Sequence, residues 1–295
     1  MTTGFLLVDK PSGWTSHDVV AKVRRLLGQK KVGHAGTLDP MATGLLVLAA
    51  GRATRLLRFV QAADKVYVAR MQLGVATDTL DADGAVLSRE PMDVAEDEIV
   101  AVAERFRGPI MQVPPMVSAL KVEGRRLYDL AREGIEVERE ARPVTIHELD
   151  VLDVAPGAYP EVAFRVRCST GTYVRTLGDD IARALGGRAH LTDLRRLAIG
   201  ALRVDASVTI DELERAADEG TLDEIVRPPG AGVAGLPSVT VGEESAAAVA
   251  NGVVFPAVAL GVGEEGEFAV FDDDGELLAV YESDGRRAKP AVVIA

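Results

Sequence analysis

One stretch of the chain sets a carboxylate and an imidazole on a backbone rich in glycine. Residues 32–44 read Val-Gly-His-Ala-Gly-Thr-Leu-Asp-Pro-Met-Ala-Thr-Gly. Three glycines and a proline in thirteen residues argue against a helix or a strand interior. The segment is expected to be a loop that presents Asp39 and His34 at the lip of an apolar strand over 45–50. A carboxylate held this way can act as a nucleophile or as a general base. Asp-Pro also initiates turns, so Asp39 taken alone keeps a purely structural reading.

Other motifs carry less. Gly261-Val-Gly-Glu-Glu-Gly266 has dinucleotide-loop spacing, but it leads into a strand-like run and two glutamates would repel a pyrophosphate. The run 79–90 imitates a calcium loop with Thr79 in place of its first acid; a hairpin turn around Asp81-Ala-Asp-Gly84 fits it better. Four scattered histidines and one cysteine, Cys168, on an apolar strand face, point to no metal centre.

The elements around Asp39 can be read from periodicity. A short strand over 5–8 ends in Asp9-Lys10-Pro11-Ser12-Gly13, a turn cluster. Ser16 reads as the N-cap of a helix to Leu27, with Val19, Val20, Val23 and Leu26 on one face and Gly28 as its stop. A basic helix is expected over 52–60, with Arg52, Arg55 and Arg58 on one side. Strands are expected over 65–73, 85–88, 144–154 and 162–168, helices over 97–106 and from Thr172 to Gly186, and a strand pair over 191–204. The fold class is α+β, a mixed and largely antiparallel central sheet flanked by helices, without regular βαβ alternation. Arg227-Pro-Pro-Gly-Ala-Gly232 reads as a linker, dividing a main domain over 1–230 from a small β-rich domain over 231–295 with one helix near 243–251.

The chain has 295 residues, 47% of them apolar, and a formal charge of −12. That net charge alone argues against nucleic acid, but its distribution does not. Residues 1–58 hold nine Lys/Arg against three Asp, a net +6, and residues 162–204 hold eight Arg against three Asp, a net +5. Residues 231–295 hold three basic and eleven acidic side chains, a net −8. No basic n-region with an apolar h-region opens the chain, and no run reaches the roughly 18 apolar residues of a membrane span. A cytoplasmic protein without membrane contact is expected.

The loop around Asp39 closely resembles the catalytic loop of the TruB family, the tRNA pseudouridine synthases that act on the T-arm. The likeness continues in family order through Leu7-Val-Asp-Lys-Pro-Ser-Gly-Trp-Thr-Ser16, Lys65-Val-Tyr67 with Leu73-Gly-Val-Ala-Thr-Asp-Thr-Leu-Asp-Ala-Asp-Gly84, Gln112-Val-Pro-Pro-Met-Val-Ser-Ala-Leu-Lys-Val-Glu-Gly124, Cys168-Ser-Thr-Gly-Thr-Tyr-Val-Arg-Thr-Leu177 and His190-Leu-Thr-Asp-Leu-Arg-Arg-Leu197. It spans residues 5–204. It implies the pseudouridine synthase fold with a PUA-like C-terminal domain, isomerisation of uridine 55, and Asp39 as the catalytic acid. It further implies that Tyr67 stacks on the target base and supplies its hydroxyl, that Arg175 pairs with Asp39, that Tyr173 and Leu194 line the uridine pocket, and that His34 contacts RNA beside the flipped base. An RNA-gripping insertion near 112–140, a tRNA partner without guide RNA, and a monomer follow from the same likeness.

The implied chemistry suits these residue types. Breaking an N-glycosidic bond and forming a C–C bond to the same ribose oxidises nothing and imports nothing, so no cofactor and no metal are expected. Flipping a base from a folded arm costs a few kcal/mol, and stacking on an aromatic ring returns about 1–3 kcal/mol. The loop glycines are expected to leave clearance for the RNA backbone, and the basic residues of 1–58 to contact phosphates.

Overall fold

The computed structural model describes residues 1–117, 121–122, 125–126, 133, 135 and 137–294. The strands are β1 Gly4–Lys10, β2 Val32–His34, β3 Thr43–Ala50, β4 Lys65–Leu73, β5 Val75–Thr77, β6 Val86–Arg89, β7 Gly108–Gln112, β8 Lys121–Val122, β9 Arg125–Arg126, β10 Arg142–Ala155, β11 Glu161–Cys168, β12 Ala189–Ile199, β13 Leu202–Arg203, β14 Ser238–Thr240, β15 Phe255–Pro256, β16 Glu265–Phe271, β17 Leu277–Asp284 and β18 Arg287–Val293. The helices are α1 Ser16–Leu26, α2 Leu57–Ala62, α3 Glu96–Glu104, α4 Val174–Ala184, α5 Ile210–Glu219, α6 Leu222–Ile225 and α7 Glu243–Ala250.

The central sheet runs β1-β3-β12-β4-β11-β10-β7, with β2 added to β3 and β13 to β12. Its pairs are antiparallel except β12 on β3. The expected mixed, mainly antiparallel α+β architecture is therefore present. A second sheet, β14-β16-β17-β18-β15, closes the chain. No helix among the described residues is long and apolar enough to cross a membrane.

The runs Phe5-Leu-Leu-Val8 and Leu45-Leu-Val-Leu-Ala-Ala50 are apolar at every position because both faces of the sheet are covered here. Leu6, Val8, Leu46 and Leu48 face a core that includes α1, α4 and α5. Phe5, Leu7, Leu45 and Val47 face a second core shared with Ala269, Val280, Val292 and Ile294 of the C-terminal sheet. Each fully buried Leu or Val contributes about 1.5–3 kcal/mol.

Several boundaries differ from the sequence expectation. Thr15, not Ser16, caps α1, in a reciprocal box with Asp18. The Ser16 hydroxyl is instead turned inward to Leu38. Residues 32–34 are strand, because β2 pairs Gly33 with Ala49 and His34 with Leu48. The basic segment is a 3-10 turn over Gly51–Leu56 followed by α2. The stretch 227–232 is no free linker: Arg227 exchanges backbone hydrogen bonds with Phe5 at 2.8 and 2.9 Å, and Gly232 packs directly on the Phe5 ring. The insertion expected near 112–140 falls partly outside the described residues; 112–117, β8, β9, 133, 135 and 137–140 are its described part.

The glycines bracketing the Asp39 loop serve the protein's own packing. A Cβ on Gly33 would lie 2.9 Å from Leu57 Cδ1, and one on Gly44 would lie 2.3 Å from the Arg196 carbonyl oxygen. Gly44 also has φ +96°. Clearance for RNA is therefore not what these two positions require. Gly44→Ala is expected to cost at least about 3 kcal/mol, combining backbone strain with overpacking against an immobile main chain. Urea unfolding measures this; a loss under about 1 kcal/mol would contradict so tight an approach.

Candidate active site

The Asp39 loop is held by its carbonyls. Arg196 donates from Nη2 to Gly36 O at 3.0 Å and from Nη1 to Thr37 O at 3.4 Å. The Ser16 hydroxyl donates to Leu38 O at 3.1 Å and accepts from Leu38 N–H at 2.8 Å. Ala42 N–H donates to Asp39 O, and Gly13 N–H to Pro40 O. Lys10 Nζ donates to Pro40 O, Pro11 O and Trp14 O at 3.2, 2.9 and 2.7 Å. Every carbonyl from residue 36 to residue 40 thus has a donor, and the backbone is fixed whatever the Asp39 side chain does. Lys10 is fully buried, and that burial pushes its ammonium down to about 8.

Asp39 faces Arg175, whose Nε lies 3.0 Å from Asp39 Oδ2. Arg175 stands in the first turn of α4, just after the cap residue Tyr173. Gln112, at the end of β7, brackets the Tyr173 peptide: Nε2 donates to Tyr173 O at 3.1 Å and Oε1 accepts from Tyr173 N–H at 2.7 Å. Arg175 is 3% exposed and shares its charge. Its Nη1 lies 3.0 Å from Asp81 Oδ2 and donates to Thr79 O at 2.6 Å, while Nη2 donates to Val117 O at 2.9 Å. Asp81 comes from the β5–β6 hairpin. The preceding Leu80 has φ +62°, the one non-glycine with positive φ among the described residues, a strain of the kind found at functional sites.

One cation between two carboxylates does not hold Asp39 at its ordinary value. Burial pushes the Asp39 carboxyl up; Arg175 opposes this, and the Asp81 charge adds to it. The side chain nonetheless remains 35% open.

That opening is a cavity of about 390 Å³ lined by Asp39, Tyr67, Tyr173, Arg175 and Leu194. Tyr67 lies on β4 directly opposite Arg196 of β12. Burial raises its phenol, and the charge of Arg196 opposes that rise. His34 does not line the cavity. Its ring packs edge-on against His17 at 5.6 Å, and burial, then His17, lower its pKa. Lys65, Gln61 and Arg196 line the wall as well, although sequence reasoning did not single them out. Lys65 donates to Ala63 O at 2.7 Å and is lowered by burial to about 8.

Two of the expected RNA-facing cations are otherwise engaged. Arg55 Nη1 donates to Val293 O at 2.7 Å, and Arg58 pairs with Glu267 at 2.9 Å, both in the C-terminal sheet. Arg25, Lys30, Lys31 and Arg52 remain exposed.

Over 99% of its length the chain superposes, at TM-score 0.76 and 27% identity, on 85% of a protein chain from an H/ACA RNP bound to a substrate RNA containing 2′-deoxyuridine. A chain from an archaeal box H/ACA sRNP complex gives a TM-score of 0.75 at 28% identity, covering 98% of this chain and 85% of that one. Three family models match in succession: the N-terminal domain of TruB family pseudouridylate synthases over residues 24–174, the C-terminal domain of tRNA pseudouridylate synthase B over 175–234, and the C-terminal region of tRNA pseudouridine synthase II over 236–295. The fold is thus that of a pseudouridine synthase. The tRNA pseudouridine synthase B of Thermobifida fusca is 44% identical over 100% of this chain and 99% of its own, and that of Moorella thermoacetica 49% identical over 86% and 83%. The chain belongs to the TruB family.

Proposed function

We propose that this protein converts uridine to pseudouridine at position 55 in the T-arm of tRNA, with Asp39 acting at the ribose C1′ and base C6 of a flipped-out nucleotide. The observation that carries this reading is the meeting of Asp39, Arg175 and Tyr67 at one cavity of about 390 Å³, on a loop whose carbonyls are all bonded within the protein. The relatives named tRNA pseudouridine synthase B support tRNA as the substrate.

Nucleophilic attack at C1′ and deprotonation of the sugar both use an ionised Asp39, and Arg175 at 3.0 Å favours that form. Tyr67 offers its ring to the base, with Tyr173 and Leu194 on the remaining wall. Lys65, Arg175 and Arg196 against Asp39 make the cavity wall net positive, which suits a nucleotide with flanking phosphates. Arg25, Lys30, Lys31 and Arg52 extend that charge across the surface. His34, edge-on to His17 outside the cavity, is assigned to RNA beside the flipped base. In this reading residues 1–230 form the catalytic domain and 231–295 a small PUA-like domain.

The test is tritium release from C5-labelled uridine in a bare T-arm hairpin, with pseudouridine mapped by position. Release at position 55 by the purified protein is expected. Inertness towards the hairpin and towards whole tRNA would overturn the reading.

Asp81→Asn gives a finer check. Removing this charge frees Arg175 for Asp39 and takes away a repulsion, so the Asp39 pKa falls. The acid limb of the pH–rate profile is expected to move to lower pH; an unmoved or raised limb would contradict the shared-cation geometry.

A further inference from the structure

Tyr173 lines the cavity from the cap position of α4, where its side chain makes no cap hydrogen bond. A ring on that position lacks the short acceptor arm of Ser, Thr, Asp or Asn that ordinarily sets the start of a helix. The anchor comes from another element. Gln112 ends β7, opposite Arg142 of β10, and is 2% exposed. Its Oε1 accepts from Tyr173 N–H at 2.7 Å and its Nε2 donates to Tyr173 O at 3.1 Å. These two groups belong to the peptide units on either side of the Tyr173 Cα. One planar amide therefore holds both φ and ψ of that residue, at −100° and 106°. The pattern is that of a hydrogen-bonded pair in an antiparallel ladder, with a side chain in place of the second strand. Fixing φ and ψ fixes the Cα–Cβ direction, and so the direction from which the ring enters the cavity.

The segment that follows Gln112 reaches the neighbouring cation as well. Val117 O accepts from Arg175 Nη2 at 2.9 Å, and Pro114 O accepts from Arg139 Nη1 at 3.1 Å. Pro114 and Pro115 restrict the path between. An apolar side chain of the volume of Gln112 would fill the same space and leave the Tyr173 backbone without these two partners. We propose that Gln112 is a positioning residue for the reaction: its amide fixes the backbone of Tyr173 and thereby aims the Tyr173 ring at the flipped base. This rests on the uridine-isomerase reading given above. The edge strand of the central sheet then takes part in the site without lining it, through a side chain that acts on another residue's main chain.

A double-mutant cycle tests this. Gln112→Met keeps the length of the side chain and removes the amide, leaving no N–H and only a weakly accepting sulfur. The substitution is made in the natural chain and in Tyr173→Ala, and single-turnover conversion of the T-arm hairpin is measured together with hairpin affinity and melting temperature. In the natural background the conversion rate is expected to fall about tenfold or more, with affinity within about threefold, because phosphate contacts elsewhere dominate binding. In the Tyr173→Ala background, where no ring remains to be aimed, the same substitution is expected to cost less than about threefold. Equal losses in both backgrounds, a loss confined to affinity or melting temperature, or no loss at all overturns the proposal. If Gln112→Met does not fold, Gln112→Glu, which keeps an acceptor for Tyr173 N–H and loses the donor to Tyr173 O, is put through the same cycle. Failure of both to fold assigns Gln112 to the core alone and also overturns it. A natural chain inert on the hairpin overturns the isomerase reading instead, so the two failures are distinct.

Discussion

Asp39→Asn is expected to lower pseudouridine formation by about 10⁴-fold or more while hairpin affinity stays within about threefold. The substitution keeps the shape of the side chain and an oxygen for Arg175, and removes the charge that either route at C1′ requires. It leaves the loop intact, because residues 36–40 are held by Arg196, Ser16, Lys10 and backbone donors rather than by the carboxylate. Stability is expected to be equal or higher at neutral pH. The folded Asp39 pKa lies above its ordinary value, so the folded state gives up stability as pH rises from the ordinary carboxylate range through the raised one. A neutral amide escapes that loss. Tritium release, filter binding and a thermal melt measure the three quantities; substantial turnover by Asp39→Asn would remove Asp39 from the chemistry.

Arg175→Met has the largest expected effect on the fold. It leaves Asp39 and Asp81 facing each other with the cation between them gone. Breaking a buried pair from one side costs about 3–5 kcal/mol, and the lower end applies because 35% of Asp39 is open to the cavity. The sign of the pH dependence follows from the carboxylates. Without Arg175 the Asp39 carboxyl is pushed further up, so the deficit is greatest near pH 7 and shrinks as pH falls towards the ordinary carboxylate range and Asp39 takes up a proton. Urea unfolding at pH 7 and at pH 5 reads this directly. A deficit that does not change with pH would mean that Arg175 matters for its packing and not for its charge. Conversion of the hairpin is expected to fall with the ionised fraction of Asp39.

Much of this site was legible in the sequence, for reasons that can be stated residue by residue. Asp39 stood out as a carboxylate on a Gly- and Pro-rich loop, whereas Tyr67, Tyr173 and Arg175 were legible only through the ordered blocks that resemble the TruB family. Leu194 belongs to a strand block of the same series. What escaped is of another kind. Lys10 looks like part of a Pro-Gly turn, Ser16 like a helix cap and Arg196 like the second of two strand arginines. Their tasks are defined by carbonyls 22 to 160 positions away, and no local pattern records those distances. Asp81 looked like turn chemistry, and it is; the hairpin that needs it also aims it at Arg175. The basic face of 52–58 misled for the same reason, because a sequence does not show that Glu267 and Val293 arrive to take Arg58 and Arg55. The strands and main helices were easier, since alternation and helical spacing are local properties of the chain.

The two-sided burial of β1 and β3 has a consequence for how the chain finds its fold. A strand with one wet face cannot slip by a residue without exposing its apolar set, and that is what ordinarily fixes pairing register. Phe5-Leu-Leu-Val8 against Leu46-Val-Leu-Ala49 lacks this safeguard, because either parity would be equally apolar. The marks that remain are polar or small: Lys10, paired with Gly44 and reaching Pro40, and Gly44, pressed on the Arg196 backbone. These same groups shape the Asp39 loop. The residues that hold Asp39 in place therefore also tell the centre of the sheet which alignment is correct, and a chain that misaligned there would lose the Asp39 loop in the same step.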